Sequence, residues 1–404
     1  MTSRRESEGE IMETHARTAK RLELVEESAT FAVADMVKRL RSEGRHVWDL
    51  GGGDPDFPTP SHIVDATVES MKVGDTHYVP SRGTLLLREA IAGKLHDDNG
   101  LTYDPAREIV VTPSAKHALF IALLSVLDPG DEVLLLTPSW VSYEAMLHFI
   151  GVRPVFVALA SDEGFSITRE RIEAAITEKS RAILINTPNN PTGRALTEDE
   201  ATLIADIARE RDLIIVADEI YEKILYDGRR HLSLAAVGDS FARTITVNGF
   251  SKAFAMTGWR LGYVAAPSDI IDQVVKSQQH TVGCACSFVQ AGGLAALTGS
   301  QESVEEMREE YAARRDLIVE GINAMPGISC PKPDGAFYVF PKIEDVRLGD
   351  SMQFTAWLLE EAGVAVTPGN AFGPGGEGHV RMSFANKREV ISGALESMEK
   401  VWPL

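Results

Sequence analysis

The sequence predicts an α/β layered protein, in which a large domain with a mostly parallel central sheet between helices is followed by a smaller α+β domain. Three observations predict it. From about residue 105, short β-rich apolar runs alternate with helical patterns, as they do when helices cover a sheet. Several runs are apolar throughout, such as Ala182-Ile183-Leu184-Ile185 and Leu213-Ile214-Ile215-Val216, which is how strands buried on both faces read. After about residue 300 the alternation gives way to a long charged helical pattern and two isolated strand-like runs.

Taken in order, the candidate strands are Glu108–Thr112, Glu132–Leu136, Arg153–Leu159, Arg181–Asn186, Leu213–Asp218, Thr244–Asn248 and Gly262–Ala265. Helical stretches fall near 115–127, 141–150, 168–178 and 197–211. Beyond them come a helix at about 301–325, strand-like runs Gly335–Pro341 and His379–Ala385 around a helix near 350–362, and a last helix at about 387–400. A helix near 30–43 is expected to pack with this C-terminal part. The expected division is therefore an N-terminal tail (1–27), a segment joining the small domain (28–58), a large domain (59–300) and a small domain (301–404).

Composition narrows the function by exclusion. A net charge of −19 argues against nucleic acid, whose binders carry basic patches. No apolar stretch reaches the roughly 20 residues of a membrane span. The polar segment Met1 to Leu24 holds no apolar run of signal-peptide length, so a cytoplasmic location is expected. Three cysteines, Cys284, Cys286 and Cys330, are too few for a disulfide framework, and Cys284-x-Cys286 has neither zinc nor redox spacing. Buried thiols are the expectation, and no metal is called for.

The most informative segment is Gly249-Phe250-Ser251-Lys252-Ala253-Phe254-Ala255-Met256-Thr257-Gly258-Trp259-Arg260-Leu261-Gly262. It follows an apolar strand, which puts Lys252 just past a carboxyl end, where ligands collect in open α/β sheets. Small neighbours leave room around its amine, and Arg260 supplies a fixed positive charge suited to a phosphate. Elsewhere, Thr112-Pro113-Ser114-Ala115-Lys116 joins a strand to a helix, where backbone amides and the helix dipole favour an anion. The glycines of Gly51-Gly52-Gly53-Asp54-Pro55 are no dinucleotide loop, because G-x-G-x-x-G spacing is missing and Asp-Pro follows at once.

The 14-residue segment resembles, position for position, the cofactor-attachment motif of the class I aminotransferases, which are fold-type I pyridoxal 5′-phosphate enzymes. The likeness runs from about residue 28 to the end. It implies that Lys252 forms the Schiff base with pyridoxal 5′-phosphate and that Arg260 binds its phosphate, together with Ser114, Ala115 and Lys116. Asp218, ending the run Val216-Ala217-Asp218, would pair with the ring nitrogen and keep the ring an electron sink. Tyr221, and Asn190 of the Asn-Pro-Thr-Gly loop, would donate to the 3-oxygen, and Trp140 would stack on the ring. Tyr78 would reach the phosphate of a neighbouring subunit, which implies a homodimer. Arg381 and the Gly53 amide would hold the substrate α-carboxylate, a planar guanidinium being suited to two oxygens.

The pattern is most similar to the bacterial aspartate aminotransferase subgroup, in which a lysine at the position of Lys116 meets the distal carboxylate of the donor. Two departures are present. No arginine stands in Val282–Ser287, and Glu27 replaces a usual proline in the lid-like segment Glu27-Ser28-Ala29-Thr30. The expected activity is ping-pong transfer of an amino group from an L-amino acid, with a lean to aspartate, to a 2-oxo acid such as 2-oxoglutarate. Alanine, aromatic or branched-chain donors remain open, as does a carbon–sulfur β-lyase on the same scaffold. A cofactor-binding transcription regulator would need a DNA-binding module upstream.

Overall fold

The apolar runs of the sequence pair side by side in a computed structural model that describes residues 19–25, 29–344 and 349–402. Seven form one sheet, namely β1 (Ile109–Thr112), β2 (Glu132–Thr137), β3 (Arg153–Ala158), β4 (Ser180–Asn186), β5 (Ile214–Asp218), β6 (Thr244–Gly249) and β7 (Gly262–Ala265). Their order is β1-β7-β6-β5-β4-β2-β3. The β2–β3, β2–β4, β4–β5 and β5–β6 pairs are parallel, and β7 runs antiparallel to both β1 and β6. Six carboxyl ends and the start of β7 therefore share one edge of the sheet. Every residue of β1, β2, β6 and β7 is buried, as in strands covered on both faces, even where Thr and Asn alternate with apolar residues in β6.

Helices Ala115–Val126, Ser142–Phe149, Arg169–Ala175 and Glu198–Glu210 follow β1 to β4 in turn. Their starts are written locally. Ser114 Oγ accepts from the His117 amide at 3.3 Å, and Thr197 and Glu200 form a reciprocal capping box.

The C-terminal part is built on the helix Glu302–Asn323, with Ser351–Glu361 and Arg388–Val401. Its strands are shorter than the sequence suggests. Of Gly335–Pro341 only Tyr338–Val339 pairs in a ladder, against Met382 and Ser383. The Gly335 and Ala336 amides bond instead to the carbonyls of Gly193 and Ile224, which ties this run to the loops of the large sheet. The helix Ala29–Ser42 packs here too, with Val37, Leu40, Val47 and Ala365 in one apolar cluster, and Trp48–Asp49 pairs in parallel with Val364–Ala365. The expectation of buried thiols fails at one position. Cys286 is exposed and Cys284 half-buried, because they lie on the connection between two surface helices, Ser268–Thr281 and Ser287–Thr298; Cys330 is buried.

Beneath the sheet, Lys94 and Glu222 form a buried ion pair, and Asn99 Nδ2 donates to Glu222 Oε2 at 3.1 Å. Burial alone would raise the Glu222 pKa, but Lys94, His231 and these hydrogen bonds outweigh it and hold it at about 2. A depressed carboxyl contributes stability that is present above its ordinary 4.5 and is lost as pH falls through about 2. Lys94→Ala should therefore cost about 3–5 kcal/mol at neutral pH, because it strands a buried charge. Urea unfolding of the two proteins at pH 7 checks this; equal midpoints would refute it.

Candidate active site

At the shared sheet edge lies a cavity of ≈ 530 Å³, walled by residues from nearly every strand end and by Arg381 and Tyr338 of the C-terminal part. Strand order explains the convergence, since each loop leaves its strand on the same side.

Lys252 follows β6. Its Nζ donates to the Gly53 carbonyl at 2.5 Å and lies 5.5 Å from the Phe337 ring centroid. Burial lowers its pKa to about 8; Arg381 and Arg260 add to the effect and Asp54 opposes it. Asp218 ends β5 and is 3% exposed. Tyr143 Oη donates to its Oδ2 at 2.7 Å and the Ile220 amide to its Oδ1 at 3.2 Å. Desolvation still raises its pKa from 3.8 to about 6.

Arg381 is buried and donates to the carbonyl of Gly51 at 2.6 Å, to Asn190 Oδ1 at 3.1 Å and to Thr367 Oγ1 at 3.3 Å, while its Nε has no hydrogen-bond partner. The Tyr338 ring lies 4.5 Å beneath its guanidinium. Asn190 is held in turn, its amide donating to Asn186 Oδ1 at 2.8 Å. Tyr221 Oη lies 3.1 Å from Tyr338 Oη.

Two further cations line the cavity. Arg260 takes a left-handed backbone (φ 55°), at a cost of about 1–2 kcal/mol, and its Nη1 donates to the Thr257 carbonyl at 2.5 Å. Lys116 Nζ lies 4.8 Å from the Trp140 ring centroid, its pKa lowered by burial and by Arg260. Gly262 keeps the helix start open, because a Cβ there would lie 2.4 Å from the Ala115 amide nitrogen. The Ser114 amide, expected to serve an anion, instead donates to the Thr112 carbonyl at 2.8 Å. The backbone donors narrow to Ala115 and Lys116, where helix N–H groups point outward, with the Ser114 hydroxyl beside them.

The cavity thus gathers Lys252, Asp218, Tyr221, Asn190, Arg260, Arg381, Trp140, Gly53 and the Ser114-Ala115-Lys116 turn. Tyr78 is not among them; it is 95% exposed. Glu27 lies outside the described residues. Sequence reasoning missed Tyr143, Tyr338, Asn186 and the Thr257–Asp54 hydrogen bond of 2.6 Å. Tyr143 follows Trp140 closely in the same turn into the helix, and the two rings meet edge to face at 5.3 Å. Tyr338 carried no signal, being 117 residues from the tyrosine it touches.

Glu219, Glu222 and His231 also lie close together, with ligand-type atoms within 4.8 Å. The Glu222 oxygens are engaged by Lys94 and Asn99, so the group is an ion-pair cluster.

A half-buried lysine of lowered pKa, an aspartate at a strand end and a cationic helix start around one cavity define a lysine-anchored cofactor enzyme of fold-type I. Residues 45–397 match the family described as aminotransferase class I and II. The chain is 49% identical over 380 residues to an aspartate aminotransferase of Musicola paradisiaca, covering 94% of this chain and 95% of that one. It is 43% identical to aromatic-amino-acid aminotransferase 2 of Thermococcus litoralis, covering 94% and 97%. The solved structure of aspartate aminotransferase from Thermus thermophilus with maleate superposes with a TM-score of 0.90 at 40% identity, covering 95% and 99%. The chain belongs to the class I and II aminotransferases, pyridoxal 5′-phosphate enzymes that exchange an amino group between amino acids and 2-oxo acids. Its cavity fits that cofactor. Donors and a guanidinium stand at one end for a phosphate, an indole offers a planar face, and a carboxyl raised by burial awaits a cationic partner.

Proposed function

We propose that this aminotransferase prefers L-aspartate as donor and a 2-oxo acid such as 2-oxoglutarate as acceptor. The observation that carries the preference is Lys116, which lines the same cavity as Arg381 with its ammonium beside Trp140. A second cation there suits a second carboxylate. The Musicola and Thermus relatives are named for aspartate, and the Thermus structure is with maleate, a dicarboxylate.

In this reading the Ser114 hydroxyl, the Ala115 and Lys116 amides and Arg260 hold the phosphate. Trp140 packs on the ring, Asp218 holds a proton at the ring nitrogen, and Tyr221 and Asn190 donate to the 3-oxygen. When bound, pyridoxal 5′-phosphate supplies the electron sink that lets the Cα proton leave. Arg381 and the Gly53 amide fix the donor's α-carboxylate. The Lys252 amine, whose lowered pKa leaves part of it neutral near pH 8, takes the Cα proton and returns it at C4′ of the cofactor, as base and then acid. Two half-reactions in one cavity make the kinetics ping-pong.

Tyr78 serves the neighbouring subunit of a homodimer, a role supported by its near-complete exposure. A monomer with full activity in sedimentation would remove that part. A cytoplasmic setting agrees with the acidic composition and with the lack, among the described residues, of any helix long and apolar enough to cross a membrane. The division into a large domain (59–300) and a small one (301–404 with 28–58) is part of the same reading, supported by the pairing of Trp48–Asp49 with Val364–Ala365.

The absorbance of the loaded enzyme tests donor choice. Loss of the visible band with aspartate before alanine or phenylalanine is expected; the reverse order would discard aspartate. Lys116→Ala should lower kcat/KM for aspartate about 10- to 100-fold, the worth of a hydrogen bond to a charged group, and leave alanine within about twofold. Equal losses for both donors would make Lys116 a scaffold residue.

A further inference from the structure

We infer that Tyr338 is a positioning residue whose hydroxyl donates to Tyr221 and thereby tunes the proton held at the Lys252 nitrogen in the loaded enzyme. The inference rests on the proposed role of Tyr221 as donor to the cofactor's 3-oxygen.

Tyr338 is 2% exposed and lines the cavity. Its Oη stands 3.1 Å from Tyr221 Oη. The chain makes room for that hydroxyl at a distance in sequence, since a Cβ on Gly53 would lie 2.4 Å from it. Its ring supports the Arg381 guanidinium at 4.5 Å. One side chain thus touches the tyrosine at the 3-oxygen end, the arginine proposed for the substrate carboxylate, and the glycine whose carbonyl takes Lys252 Nζ.

Proton counting sets the direction. A tyrosine hydroxyl has one proton to give and two lone pairs to accept with. Once Tyr221 spends its proton on the 3-oxygen, the 3.1 Å contact is a hydrogen bond only if Tyr338 is the donor. Receiving that bond polarises the Tyr221 O–H and strengthens its own donation. A stronger donor draws charge from the 3-oxygen and loosens the hold of that oxygen on the proton it shares with the Lys252 nitrogen. Tyr338 therefore keeps the Lys252 nitrogen easier to deprotonate.

Tyr338→Phe separates this from a packing role. It keeps the ring under Arg381 and removes the single proton. The pH midpoint of the visible absorbance of the loaded enzyme should rise by about half a unit, as expected for a change of a few tenths in one polarised bond. KM for aspartate should stay within about twofold, because the bonds of Arg381 to Gly51, Asn190 and Thr367 are untouched. Tyr221→Phe, titrated alongside, should move the midpoint further in the same direction. A Tyr338→Phe midpoint equal to wild type, or lost thermal stability with no change of midpoint, overturns the inference while Tyr221→Phe still shifts. If Tyr221→Phe leaves the midpoint in place as well, the assignment of Tyr221 falls with it.

Discussion

Lys252→Ala should abolish transamination, lowering kcat by at least about 10⁴-fold, the upper range for loss of a positioned acid–base group. The amine is partly buried, hydrogen-bonded to the Gly53 carbonyl at 2.5 Å and lowered to about pKa 8, which poises it as a base. Other cavity residues, Arg260 and the helix start among them, remain to hold pyridoxal 5′-phosphate. The variant should retain the cofactor without a covalent bond. Turnover with aspartate and the intact mass after borohydride reduction measure the two halves of this. Full activity, or a reduced covalent adduct at another residue, would sink the assignment.

Asp218→Asn should do two opposite things. Desolvation raises this carboxyl from 3.8 to about 6, and the Tyr143 hydrogen bond does not offset it. A raised carboxyl gives the fold stability that is complete below 3.8 and is lost as pH rises through about 6. At pH 8 the ionised group therefore costs the cofactor-free protein about 3 kcal/mol. The amide removes that charge and keeps an acceptor for Tyr143. Cofactor-free Asp218→Asn should be more stable than wild type at pH 8, with the gap closing below pH 4. Turnover should fall about 10²- to 10³-fold, because the preorganised charge proposed to face the ring nitrogen is gone. Chemical unfolding at the two pH values and steady-state rates check both. A variant no more stable at pH 8 and still fully active would show that Asp218 is an ordinary structural carboxylate. A stability gain on losing the charge would mark an aspartate kept for function at the expense of the fold.

The departures from the sequence reading have definite causes. Ser114 lost its amide as an anion donor because the tight turn into the helix bonds that amide to Thr112, which no propensity encodes. The run Gly335–Pro341 was apolar enough for a strand. Two of its amides serve loops of the large sheet instead, and Ala336 takes a left-handed backbone at φ 55°. Cys286, expected as a buried thiol, lies exposed between two helices.

What the sequence by itself determined is local and periodic. Short β-rich runs, several of them apolar throughout, marked the seven strands of the large sheet, and the segment Gly249–Gly262 singled out Lys252 and Arg260. These depend on a few consecutive residues, so they are legible one window at a time. Only the tertiary structure decided which hydroxyl meets Tyr221, which carbonyl receives Lys252 Nζ and what braces Asp218. Those partners are 117, 199 and 75 residues away. Tyr143 and Asp218 meet because parallel strands deliver their loops to one sheet edge, and Gly53 and Tyr338 reach the same cavity from the N-terminal segment and the C-terminal part, which no local pattern specifies.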